Sequence, residues 1–138
     1  MRIGICCITY NRLTSLTRLL KSLEDADYDE NVELIISIDK SDSTDIEDFA
    51  NMYQWKYGQK HIIAHNSNLG LRKHILSCGL LLKKYDALVV LEDDIVVSPN
   101  YYRYVVQCIE KYHDDDRIAG ISLYNFPVNY LTIDNFCQ

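Results

Sequence analysis

No apolar run in this 138-residue sequence approaches the ~18–20 residues that cross a bilayer, so no membrane-spanning helix is expected. Met1 to Asn11 also lacks the long apolar core and cleavage site of a secretory signal. Basic side chains are in deficit: 14 Lys and Arg stand against 20 Asp and Glu, a formal charge of -6. That balance argues against nucleic acid or an anionic membrane surface as the main partner. The five cysteines form no C-x-x-C pair and sit at no metal-ligand spacing. They read as reduced, buried thiols of a cytoplasmic protein.

Several chemical signatures are missing as well. No G-x-G-x-x-G follows the first apolar run, which argues against a nicotinamide or flavin dinucleotide. There is no G-x-x-x-x-G-K-[ST] phosphate loop, no G-x-S-x-G elbow and no Cys/His pairing for nucleophilic catalysis. The first strand ends in Thr9-Tyr10-Asn11-Arg12 rather than the acidic pair of a receiver domain. The composition, 48% apolar and 25% charged, is that of an ordinary globular domain and excludes wholesale disorder. The length fits one domain, residues 1–138.

What remains is a regular alternation of short apolar runs and helix-period segments. Ile3–Thr9 reads as a strand. Leu13, Leu16, Leu19, Leu20 and Leu23 form a helical stripe, with Asn11 as a candidate cap. Val32–Asp39 is the second strand. A Thr44/Glu47 capping box opens a second helix, whose face carries Ile46, Phe49, Ala50, Tyr53 and Tyr57. His61–Ala64 is a third strand, and Leu71, Ile75, Cys78 and Leu82 mark a helix running to about Lys84. Ala87–Leu91 is wholly apolar and is expected to be the most buried strand. Ser98-Pro99 reads as a cap and first-turn proline for a helix with Tyr102, Val105, Val106, Ile109 and Tyr112. Ile118–Leu123 is expected as a fifth strand. This alternation predicts an α/β, Rossmann-like three-layer sandwich on a mostly parallel sheet.

Ligands of such sheets bind beyond the carboxyl ends of the strands, where strand order reverses. The residues at those ends are therefore the candidates. Thr9, Asn11 and Arg12 follow the first strand, and Asp39, Ser41 and Asp42 follow the second. Asn68 and Gly70 follow the third, with Arg72, Lys73 and His74 opening the next helix. Glu92-Asp93-Asp94 follows the fourth. Three adjacent carboxylates at a strand end call for a compensating cation, and hard oxygen donors suit Mg²⁺ or Mn²⁺. The alternative is a solvated acidic turn. Arg72 and Lys73 in a first helical turn run against the helix dipole unless an anion sits there. The alternative is a surface pair. Asp39 suits a ribose hydroxyl or a base N–H, or else simply forms a turn.

In this order and spacing the sequence resembles the nucleotide-diphospho-sugar glycosyltransferases of the GT-A fold. It is similar above all to the family-2 inverting enzymes and the N-acetylglucosaminyltransferase I group. The likeness rests on Ile8-Thr9-Tyr10-Asn11-Arg12, Ser37-Ile38-Asp39, Asn68-Leu69-Gly70-Leu71-Arg72 and Val89-Val90-Leu91-Glu92-Asp93-Asp94. It extends from the start to about Tyr124-Asn125. The resemblance implies that Thr9, Arg12 and Asp39 line a nucleotide pocket, with Asn68, Arg72 and Lys73 near the base or diphosphate. Glu92-Asp93-Asp94 looks like the D-x-D-type motif, with Asp93 facing ribose or sugar and Asp94 holding Mn²⁺ or Mg²⁺. Asp39-Lys40-Ser41-Asp42 departs from the common Asp-Asp-Gly-Ser pattern.

The implied partners are a nucleotide sugar, with UDP the leading nucleotide, and a saccharide or other hydroxyl acceptor. The resemblance also implies that residues 126–138 open an acceptor-binding half, with the catalytic base beyond Gln138. Self-association through the uncovered surface is then expected. A non-catalytic nucleotide-sugar-binding module and a nucleotidyltransferase are the competing readings.

Overall fold

A computed structural model of the chain describes residues 1–124 apart from Glu30. Four parallel strands, β1 (Ile3–Thr9), β2 (Glu33–Ile38), β3 (Lys60–Ala64) and β4 (Ala87–Glu92), lie in the order β3-β2-β1-β4. Ile5 of β1 is in register with Leu34 of β2 and Val89 of β4. Among the described residues four helices join the sheet: α1 (Leu13–Glu24), α2 (Asp45–Met52), α3 (Leu71–Cys78) and α4 (Tyr101–Tyr112). A 3₁₀ turn, Gly79–Lys83, extends α3.

The period-2 character of the strands divides them between two cores. Ile3, Ile5 and Cys7 point with Leu34, Ile36, Val89 and Leu91 toward α1, α2 and α4. Cys6, Ile8 and Ile35 point the other way, to Cys78 and Tyr85 under α3 and its 3₁₀ extension. The expected three layers are therefore present. Their arrangement follows from crossover handedness: reversing the direction of travel across the sheet after β3 moves the connecting helix to the opposite face. Leu16, Leu19, Leu20 and Leu23 of α1 are all buried, each contributing roughly 1.5–3 kcal/mol of apolar burial.

Several expectations are corrected. The most buried strand is β1, buried at all seven residues, rather than Ala87–Leu91. β4 is as apolar, but it is outermost among the described residues, so Val90 on its second face is 41% exposed. Ile118–Leu123 forms no strand; a β-prone segment needs a partner edge, and this one pairs with none of the described strands. Asn11 does not cap α1, whose N-cap position is Arg12. The Thr44/Glu47 box does not close; the Thr44 hydroxyl donates to Asp48 Oδ2 instead (3.0 Å). α4 begins at Tyr101 after Asn100, later than Ser98-Pro99 suggests. The expected tail from Phe126 lies outside the described residues, as does Cys137.

α2 stops at Met52 rather than continuing to Tyr57, because Lys60 Nζ donates to the carbonyls of Ala50, Asn51 and Tyr53. Those carbonyls would otherwise be orphaned at the helix end. Beyond it, Trp55 Nε1 donates to the Val32 carbonyl (2.7 Å), bringing the 55–58 segment against the start of β2. Gly58 passes so close that an added Cβ would collide with that same carbonyl. Gly58→Ala is therefore expected to cost about 2 kcal/mol, read as a lower denaturation midpoint at unchanged slope. A midpoint equal to the parent's would mean the segment can yield.

Candidate functional site

Strand order reverses between β1 and β4, and a cleft of about 470 Å³ opens beyond their carboxyl ends. Thr9, Tyr10 and Arg12 at the end of β1, and Glu92 and Asp93 at the end of β4, form one wall. Asp39, Asn68, Gly70, Leu71 and His74 form the other. Four separate stretches thus meet at one edge because the strands run parallel and all end there.

Asp93 is the centre of the first wall. It is 2% exposed, an unusual position for a carboxylate without partners. The Thr9 hydroxyl donates to its Oδ2 (2.8 Å), which fixes the carboxylate plane. Arg12 Nη2 lies 2.7 Å from Oδ1, an ion pair outside hydrogen-bond alignment, so that buried oxygen carries no hydrogen bond. Arg12 also reaches Asp94 Oδ2 through Nη1 (3.2 Å). Asp94 is half exposed and stands at the rim rather than in the wall. Its carbonyl accepts from Arg18 Nη2 (3.2 Å), tying the acidic turn to α1.

Asp39 organises the second wall. Its Oδ1 accepts from the amides of Leu69 (2.8 Å) and Lys40 (2.9 Å), and its Oδ2 from the amide of Gly70 (2.9 Å). Burial pushes this carboxyl up, but the amides of Leu69, Lys40 and Gly70 outweigh it and hold it below the usual carboxylate range. Gly70 has φ +72°, a left-handed conformation that favours glycine, and precedes the first residue of α3. Asn68 Nδ2 donates to the Lys40 carbonyl (3.0 Å), closing the same loop pair.

The helical step decides which residues of α3 meet the cleft. Leu71 and His74, three apart, face it, whereas Arg72 and Lys73 are exposed and lie outside its wall. Asn11 is exposed and also outside it. Tyr10 and Leu71 belong to the lining though sequence reasoning singled out neither as a binding residue, and His74, one of the candidates after the third strand, lines it as well. His74 is 2% exposed, its Nε2 lying 2.7 Å from Ser37 Oγ on β2. Burial and the neighbouring His65 lower its basicity against the pull of Asp39. The ring is thus held neutral near pH 7. The pair joins positions 37 residues apart, for which no local signal exists.

The sequence matches glycosyl transferase family 2 over residues 5–132. The chain belongs to that family. No curated protein matches it by sequence. Among solved structures, this family-2 chain is similar to Staphylococcus aureus TarS 1-349, at 17% identity and TM-score 0.60. That match covers 88% of this chain and 38% of TarS 1-349. The same protein in complex with UDP matches at 18% identity and TM-score 0.60, over 82% of this chain and 33% of that one. In complex with UDP-GlcNAc the match has the same identity, TM-score and coverage of this chain, and 32% of that one. The family-2 chain therefore shares the GT-A fold and spans less than two fifths of these structures.

Among the described residues, no three His, Cys, Asp or Glu side chains converge as a metal cage. Asp93 Oδ1 and Asp94 nonetheless offer hard oxygen donors side by side, one of them buried and free of hydrogen bonds. That donor set fits a Mg²⁺- or Mn²⁺-type ion, which needs only one or two carboxylates when water and phosphate oxygens complete its shell.

Proposed function

We propose that the cleft takes the nucleoside diphosphate of a nucleotide sugar, with UDP the preferred nucleotide, and serves the donor side of an inverting, metal-dependent sugar transfer. The observation that carries this reading is the meeting of Thr9, Arg12, Asp39, Asn68 and Asp93 around one cleft at the strand-order reversal. The family membership and the UDP and UDP-GlcNAc complexes of TarS support it. Asp39 and Asn68 hold the loops that would face base and ribose, and Arg12 would face the diphosphate. Asp93 and Asp94 would hold Mn²⁺ or Mg²⁺, which when bound neutralises charge on the departing diphosphate.

The acceptor is a saccharide or other hydroxyl, whose proton goes to a general base outside the described residues. Asp39 and Asp93 are poor candidates for that base, since one is held by three amides and the other is ion-paired.

Thermal unfolding with UDP, GDP or dTDP in the presence of Mn²⁺ tests the reading. UDP at 100 times its dissociation constant is expected to stabilise the fold by about 2.7 kcal/mol, or roughly 10 °C. No shift with any nucleoside diphosphate would overturn it.

A further inference from the structure

We propose that Arg12 stands where a divalent ion would bind, so that metal and guanidinium compete for Asp93 Oδ1 and Asp94. This rests on the metal reading above and adds a device to it. The Asp93 plane is fixed by Thr9 independently of Arg12, which leaves Oδ1 aimed at one place. Among the described residues only Arg12 fills that place, at 2.7 Å and without hydrogen-bond alignment, while its other arm spans to Asp94.

The Arg12 side chain is 53% exposed, so it can swing away at little packing cost. Its backbone stays anchored, because the Arg12 carbonyl accepts from Leu16 N (3.0 Å) as α1 begins. The acidic turn stays in place too, since Arg18 holds the Asp94 carbonyl. A divalent ion and a guanidinium at the same two carboxylates repel one another, and the cleft has room for the displaced arm to meet an incoming diphosphate. Nucleotide and metal binding are then coupled through one side chain, and the coupling acts equally in both directions.

Mn²⁺ binding to the full chain, followed by the electron paramagnetic resonance signal of the free ion, tests the exchange. Without nucleotide, Arg12→Met is expected to bind Mn²⁺ about tenfold tighter than the parent. Arg12→Lys, which keeps a competing cation, should stay near the parent, and Arg117→Met, at a residue that pairs with Asp115 outside the cleft, should stay within about twofold of it. Equal or weaker binding by Arg12→Met would overturn the proposal, provided that its denaturation midpoint matches that of Arg12→Lys. A lower midpoint transfers the decision to Arg12→Lys against the parent with UDP added. There, UDP should raise Mn²⁺ affinity in both, and an increase in neither overturns the exchange. Failure of every chain to bind Mn²⁺ also overturns it. UDP stabilisation measured without metal then decides separately whether the nucleotide reading stands.

Discussion

Asp39→Ala is expected to lower stability by about 3 kcal/mol and to open the loop pair that forms one wall of the cleft. Three amides, those of Lys40, Leu69 and Gly70, lose a charged acceptor at once. Hydrogen bonds to a charged group are worth roughly 1.5–3 kcal/mol each, and partial resolvation of the amides returns some of the loss. Chemical denaturation gives the value directly, and a loss below about 0.5 kcal/mol would remove Asp39 from this clamping role.

The same contact has a pH signature. The folded Asp39 value lies below its ordinary 3.8. A depressed carboxyl contributes stability that is fully present above the unfolded value and is lost as pH falls through the folded one. The parent should therefore lose stability on acidification below about pH 4 more steeply than Asp39→Asn. Glu33 is also held below its usual range. Burial pushes it up, but Tyr85, Arg2 and His61 overcome that from the other end of the sheet. It titrates in both proteins, so the difference between the two curves isolates Asp39.

Asp93→Asn is expected to abolish nearly all of the stabilisation by UDP with Mn²⁺, a loss of affinity of about 100-fold or more. The amide oxygen can still accept from Thr9, so the fold should survive. The negative charge that holds Arg12, and that would hold a divalent ion, disappears. Calorimetric titration of parent and variant checks this. Unchanged affinity in a variant of unchanged thermal stability would detach Asp93 from nucleotide binding altogether.

Much of this architecture was legible from local pattern. A short apolar run and a leucine stripe set β1 and α1, and the parallel class then gathered Thr9, Asp39, Gly70 and Asp93 at one edge without any knowledge of contacts. What stayed hidden depends on neighbours distant in sequence. β1 and β4 are equally apolar, and only strand order makes one central and the other peripheral. The Lys60 side chain that ends α2 comes from eight residues beyond Met52, so no helix-stop signal precedes it. Asp39 reads as a ligand contact in sequence, yet its oxygens are taken by amides some thirty residues away. Arg72 and Lys73 look like anion ligands until the helical step turns them away from the cleft.

The two walls of the cleft are held by independent means: Thr9, Arg12 and Asp93 on one side, the Asp39-bound loops on the other. The connections after β2 and β3 can therefore change length or composition, as long as an acidic anchor and the Gly70 bend survive, without disturbing the charged pair opposite. On the proposed reading, selection could then revise which base and ribose are accepted while leaving the handling of pyrophosphate charge untouched.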